Sequence, residues 1–231
     1  MRVFRVLDVE TTGVKTDEHP AQIVEYGFQD VELHDDGTVL GGVSETSFVR
    51  SSLDCDVEAR AVHHITDAEI ASGVAVEKAF LALMAGQPDF FVVHNAAFEK
   101  EFFTGGAVPW ICTYKCALRL WPDAPAHSNQ VLRYWLGLPV DPQRAFPPHR
   151  ALPDAYTTAH ILREMLRIKT PIGDLVAWSK EPPMPKYIGF GKYRNQEWAG
   201  LPFDYLQWIA TKSDLDKDTK WLAKYHMKVA Q

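Results

Sequence analysis

Leu7-Asp8-Val9-Glu10-Thr11-Thr12-Gly13 is the stretch on which the fold of this 231-residue chain turns. Val3, Phe4, Val6 and Leu7 lead into it, so it reads as the end of a buried β-strand. Residues i and i+2 of a strand share a face. Asp8 and Glu10 therefore project together from apolar surroundings, which is costly without compensating positive charge. A divalent ion that takes oxygen ligands, Mg²⁺ or Mn²⁺, would supply that charge. A strand that simply runs out into water would leave both acids hydrated and need no ion.

Residues 22–32 read as a second strand and 38–50 as a third, joined by the turn signal His34-Asp35-Asp36-Gly37. Three strands on short connections predict an antiparallel meander. Beyond it the period lengthens. Residues 51–71 are polar loop and short helix, and 74–84 are helical with Val76, Phe80 and Met84 on one face. A short buried strand over 89–93 ends at His94-Asn95. Helix is predicted for 98–103, strand for 110–113, helix for 114–120, and a helix capped by Ser128 running to 136. Four prolines make 139–148 a loop, and a long helix follows over 154–167. A meander followed by alternating helices and strands is an α/β sheet of mixed direction. Thr170-Pro171 reads as the N-cap and first residue of another helix, and Glu181-Pro182-Pro183-Met184-Pro185 as a linker. After the linker, 187–198 predict a hairpin, and 204–211 and 216–229 predict helices.

With 46% hydrophobic residues, 7 Trp, 8 Tyr and 12 Phe, the chain can bury a sizeable core, which excludes a disordered polypeptide. No apolar run approaches the ~18–20 residues of a membrane span and no signal-peptide pattern opens the chain, so no membrane partner is expected. Only Cys112 and Cys116 are close in sequence, and no second Cys or His pair stands at zinc spacing. Cys55, Cys112 and Cys116 read as reduced core thiols of a cytoplasmic protein. A net charge of −6 argues on its face against a nucleic-acid ligand, but the charge is segregated. Residues 1–179 hold 15 Lys/Arg against 24 Asp/Glu, whereas 180–231 hold 9 against 6. The acidic part suits cations and the basic part a polyanion.

Three acidic segments carry candidate chemistry: Asp8-Val9-Glu10, His94-Asn95-Ala96-Ala97-Phe98-Glu99, and His149-Arg150-Ala151-Leu152-Pro153-Asp154. Each has a plainer reading on its own. Glu99 favours a helix N-terminus through the dipole, Asp154 caps a helix, and His149 is a loop histidine after two prolines. In this order, however, DVETTG, HNAAFE and HRALPDA resemble the three exonuclease motifs of the DEDDh family, the proofreading-type 3′→5′ exonucleases. Trp110-Ile111-Cys112-Thr113, Arg119-Leu120-Trp121-Pro122, Ser128-Asn129 and Phe190-Gly191-Lys192-Tyr193-Arg194 are similar to the exodeoxyribonuclease X subgroup, so the resemblance covers nearly the whole chain.

The resemblance implies an α/β, ribonuclease H-like mixed sheet flanked by helices over residues 1–169. A connector over 170–186 and a small α+β accessory module over 187–231 would follow. It also implies two Mg²⁺ or Mn²⁺ ions, held about 3.5–4 Å apart for phosphodiester hydrolysis. Asp8 would bridge both, Glu10 and Asp154 would complete the site of the ion that activates water, and Glu99 would help the second directly or through water. His149 would be the general base, a task that suits an imidazole. The family's second motif normally carries aspartate where this chain has Glu99. The arm is one methylene longer, and Mg²⁺ demands near-ideal octahedral geometry, so an active enzyme with a stronger preference for Mn²⁺ is expected. Glu101 stands two residues from the motif position and suits it less.

By the same resemblance the terminal nucleotide lies against the DVETTG loop. The Val9 backbone and Thr11 side chain would face its 3′ end, with His63 nearby and Asn95 and Phe98 along the single-strand path. An aromatic face such as that of Phe98 stacks on any base. The implied reaction is release of mononucleotides from DNA 3′ ends, single-stranded or frayed. An exoribonuclease or oligoribonuclease with the same chemistry stays open, because DNA- and RNA-directed members share the motifs. So does a nucleic-acid-binding protein whose turnover is weakened through Glu99.

The tail carries an expectation of its own. Lys217, Lys220, Lys224 and Lys228 recur at spacings of 3, 4 and 4 and form one helical stripe. Leu215, Leu222, Tyr225 and Val229 form a separate apolar face, and Lys192 and Arg194 add positive charge. A phosphate-tracking surface would use this arrangement; a solvated helix face would also produce it.

Overall fold

The computed structural model describes residues 1–37 and 39–229. Thr38, at the expected start of the third strand, lies outside the described residues. Strands β1 (Arg2–Thr11), β2 (Ile23–Leu33) and β3 (Val39–Phe48) form the antiparallel meander. Strand β4 (Phe90–Val93) lies parallel to β1, and β5 (Trp110–Cys112) parallel to β4, giving the order β3-β2-β1-β4-β5. The helices are α1 (Val57–His63), α2 (Asp67–Ser72), α3 (Val76–Met84), α4 (Ala96–Glu99), α5 (Thr113–Leu120), α6 (Asn129–Trp135), α7 (Ala151–Arg167), α8 (Ile172–Lys180), α9 (Phe203–Lys212) and α10 (Lys217–Val229). No helix among the described residues is long and apolar enough to cross a membrane.

Strand alternation decides which side chains meet which helix. Phe4 and Val6 of β1, with Val31 and Val92, pack against Leu162 and Met165 of α7 in one core. Leu7 and Val9, with Phe28 and Phe91, pack against Ala79 and Leu83 of α3 in another. Asp8 and Glu10 continue the Phe4–Val6 row and so emerge on the α7 side. Gly27 of β2 stands opposite Asp8 in the same row. A Cβ on Gly27 would lie 2.3 Å from the Leu152 nitrogen and 2.6 Å from the Ala151 carbonyl carbon, so only glycine lets the start of α7 settle onto the sheet there.

On the other face, Arg5 is buried and fully engaged. It donates to both Asp30 oxygens at 2.9 and 2.8 Å and to the carbonyls of Ala82, Leu83 and Ala85 at the end of α3. A buried ion pair is tolerable when its remaining hydrogen-bonding capacity is met this way. The pair locks α3 across the two central strands.

Several boundaries differ from expectation. Of the expected helix over 98–103 only the end of the four-residue α4 is present; the chain continues in turns bonded back to Phe98 and Glu99, and Gly105 and Gly106 beyond them adopt left-handed backbone (φ 67° and 60°). Helix α7 begins at Ala151, earlier than expected, since Pro153 lies in the first turn, where its missing N–H costs nothing. Pro171 is the N-cap of α8 rather than its first residue, and Ser128 stands at the N-cap of α6 without a side-chain capping bond. Residues 187–198 form a loop rather than a two-stranded hairpin. It is closed by a single Tyr187–Glu197 bridge and bent where Gly191 and Asn195 take positive φ.

Ile188, Trp198, Leu206, Ile209 and Leu222 make a separate C-terminal core. Lys186 and Tyr187 bind Asp123 at 2.7 and 3.0 Å, and Arg119 binds Glu181 at 2.6 Å, joining this part to the residues around α5. Helix α10 turns a different face inward than expected. Leu222 and Ala223 are buried, while Tyr225 and Val229 are exposed, because α9 packs across the Leu222 side and Trp198 stacks on His226.

Gly27→Ala is expected to lower the unfolding free energy by about 1–3 kcal/mol, the usual cost of overpacking. Urea denaturation measures it, and a neutral result would mean that α7 does not rest on β2 as described.

Candidate active site

Asp8, Glu10 and Asp154 each offer a carboxylate oxygen within 4.8 Å of the other two. Asp8 and Glu10 come from the end of β1, and Asp154 from the first turn of α7 laid over them. Glu99 reaches the same region from α4, after β4. It is 3% exposed, and its Oε2 has no hydrogen-bond partner among the described residues. Burial drives Asp8 well above the usual carboxylate range, and Glu10, Asp154, Glu99 and Glu25 push it further. Burial, then Asp154 and Glu25, push Glu10 up to about 8, with Arg150 opposing. Burial also pushes Glu99 up to about 8, with a backbone hydrogen bond opposing and Glu10 adding. Asp154 is raised by burial against the His149 N–H. An all-oxygen donor set with one orphaned buried oxygen fits a hard divalent cation.

Residues with no expected role hold this geometry. Glu25 of β2 stands opposite Glu10 and is 4% exposed. It accepts from Arg150 Nε and Nη2 at 2.9 and 2.8 Å and from the Ala151 N–H at 3.0 Å, clamping the residues that open α7. The signal in the sequence was a lone acid inside the apolar run from Ile23 to Phe28. Gln130 Nε2 lies 3.5 Å from Asp154 Oδ1. His149 is exposed, holds φ at 60°, and donates its backbone N–H to Asp154 Oδ2 at 2.8 Å. His94, half-buried and held down to about 4 by desolvation, links Thr113 Oγ1 and the His127 carbonyl at 2.9 and 2.7 Å.

A cavity of about 460 Å³ opens beside Glu10 and is lined by Thr11, His63 and Phe98 among others. Phe98 is half-buried, with its ring 5.2 Å from that of Phe102. Thr11 is buried and its hydroxyl donates to the Gly13 carbonyl at 2.8 Å. His63 is buried too, its Nδ1 accepting the Ile65 N–H at 2.9 Å. The Val9 side chain belongs to the α3-side core. Asn95 is exposed at the N-cap of α4 and does not line the cavity. Glu101 lines a different hollow, beside Lys15, and is not in the acid cluster. Lys217, Lys220, Lys224 and Lys228 lie on α10, and Lys192 and Arg194 on the loop before α9.

Raised carboxyl pKa values make the metal-free fold pH-sensitive. The stabilising contribution of Glu10 and Glu99 is complete below their ordinary value of 4.5 and is lost as pH rises through about 8. His94 and His160, both held down to about 4, act in the opposite sense, but only below their ordinary value of 6.5. The melting temperature of chelated protein is therefore expected to fall between pH 6.5 and 8. Added Mg²⁺ or Mn²⁺ should restore it, with protons released on binding in calorimetry. A melting temperature at pH 8 indifferent to both ions would contradict a cation site.

The RNase_T exonuclease model matches residues 6–162. Exodeoxyribonuclease 10 of Escherichia coli (strain K12) is 30% identical over 216 residues, 92% of each chain. Exonuclease X, solved in complex with 5′ overhanging duplex DNA, superposes with a TM-score of 0.62 at 29% identity, covering 76% of this chain and 99% of that one. The nuclease domain of 3′hExo, a DEDDh family member solved with rAMP, shares the fold with a TM-score of 0.55 at 14% identity, covering 72% of this chain and 92% of that one. The family match runs from β1 into α7, the span that carries Asp8, Glu10, Glu99 and Asp154, and the chain belongs to the RNase_T exonuclease family.

Proposed function

We propose that this exonuclease is a metal-dependent 3′→5′ exodeoxyribonuclease that releases mononucleotides. The convergence of Asp8, Glu10 and Asp154 beside the orphaned Glu99 oxygen carries the reading. Asp8, Glu10 and Asp154 would hold two Mg²⁺ or Mn²⁺ ions, with Glu99 completing the set. When bound, such ions supply Lewis-acid charge at the phosphoryl group and lower the pKa of water.

The remaining work falls to the chain itself. His149 stands in solvent at the edge of the cluster, with its backbone tied to Asp154, and its imidazole takes the proton of the attacking water. Phe98 supplies the ring face for the terminal base, and Asn95 the polar edge of the strand path. Thr11 and His63 shape the cavity wall, since their side-chain bonds are already made within the protein. A cavity of about 460 Å³ has small-molecule dimensions, which favours one unpaired nucleotide and hence single-stranded or frayed ends. DNA is favoured over RNA because the relative alike over nearly the whole chain is named an exodeoxyribonuclease.

End-labelled DNA and RNA oligomers incubated with Mg²⁺, Mn²⁺ or EDTA test the reading. Stepwise loss of single nucleotides from DNA 3′ ends is expected with either ion and none with EDTA. Faster loss from RNA would reverse the substrate assignment. His149→Ala should lower kcat by roughly 10²–10⁴-fold, the usual worth of a general base.

Glu99→Asp restores the shorter arm and should shift the ratio of Mg²⁺- to Mn²⁺-supported rates towards Mg²⁺. Glu99→Ala should depress both. Unchanged Mg²⁺-dependent cleavage in Glu99→Ala would remove Glu99 from the ion site.

A further inference from the structure

We propose that one face of α10 is a second binding site, for single-stranded DNA, built from Trp221 and Tyr225 set among Lys217, Lys224 and Lys228. Residues three or four apart on a helix are neighbours, and these five interleave in that way. The Trp221 and Tyr225 rings stack with centroids 5.6 Å apart and planes 17° apart, and they are 36% and 39% exposed. A surface hollow of about 340 Å³ runs along them, walled by Lys224 and Lys228. The C-terminal core does not need these rings, since α10 contributes Leu222 and Ala223 to it from the opposite side. All three lysines are exposed, and none forms an ion pair with a described residue.

Two exposed stacked rings and three unpaired cations on one face fit a ligand that has both flat faces and regular negative charge. A single strand has both. A duplex satisfies the lysines but keeps its base faces stacked inside, and an acidic peptide leaves the rings without partners. Lys220, three residues from Lys217 and four from Lys224, borders this face but is half-buried. Lys192 is committed elsewhere, over the Tyr193 and Tyr205 rings at 4.7 and 5.5 Å. The choice of DNA over other single strands rests on the exodeoxyribonuclease reading, and the site itself does not.

Binding of fluorescein-labelled oligo(dT) to the full chain in EDTA, followed by anisotropy, tests the proposal without metal or turnover. Loss of one stacking ring is expected to weaken binding roughly 5- to 150-fold, so Trp221→Ala with Tyr225→Ala should raise Kd at least that far. Trp221→Phe with Tyr225→Phe should leave it within a few-fold. Lys217→Gln, Lys224→Gln and Lys228→Gln together should flatten the log–log salt dependence by about 2, at ~0.7 per lost contact. Unchanged affinity in the ring-truncated protein overturns the site, as does equal affinity of the parent for a blunt duplex. Tighter binding of oligo(rU) overturns the choice of DNA. If truncating the rings unfolds the module, the lysine variant decides alone, and an unchanged salt slope rejects the proposal. Absence of 3′ hydrolysis in the parent would defeat the nuclease reading while leaving this binding result intact.

Discussion

Mutual repulsion among buried and half-buried carboxylates is the constraint around which this protein is built. At an effective dielectric of about 20, two full charges 4.8 Å apart repel by roughly 3–4 kcal/mol, and Asp8, Glu10 and Asp154 form three such pairs. That is comparable with the whole stability of an ordinary domain, about 5–15 kcal/mol. The cluster therefore cannot stand fully ionised and uncompensated. Protons relieve it, which is why burial and neighbours drive Asp8, Glu10 and Glu99 upward, and cations relieve it without giving up the charge. A pocket that prefers a proton to no partner, and offers only oxygen, fits a hard ion.

Holding such a cluster together takes structure that has no direct part in chemistry. The alternation of β1 aims Asp8 and Glu10 at α7, but α7 must come close enough to answer with Asp154. Gly27 opens that approach opposite Asp8, and Glu25 opposite Glu10 grips Arg150 and the Ala151 N–H. Arg150 then has two effects. It pairs with Glu25, whose charge still raises Asp8 and Glu10, and it is the cation that draws Glu10 downward. The protein thus supplies one guanidinium beside the cluster, enough to orient the helix and too little to neutralise the rest.

Much of this was legible from local pattern. The shared face of Asp8 and Glu10 follows from strand periodicity alone, and the antiparallel meander from short turns between apolar runs. Asp154 and Glu99 were recognisable because motif order ties distant segments to one site. Glu25 and Gly27 were not, although both sit in the same apolar strand. Their importance depends on what stands opposite them across β1 and above them in α7, and strand pairing is a non-local fact. The tail failed differently. Leu222 and Tyr225 are three apart and could share a face by spacing. Which side turns inward was decided by Trp198 stacking on His226 and by α9, neither visible in the periodicity of α10.

The overall charge of −6 would be a poor guide to what this protein binds. Charges on a surface are screened within about 8 Å at physiological ionic strength, so an approaching strand responds to the patch it meets rather than to the sum. Next to the acid cluster that patch is hostile, because Asp56 and Glu58 line the cavity as well as Glu10. A phosphate backbone gains nothing there until cations occupy the site. Affinity for a polyanion must then come either from those cations or from a surface well removed from the acids. Along the chain, the basic excess lies beyond residue 179, apart from the acid-rich part. Separating the two charges along the chain lets both persist in one molecule.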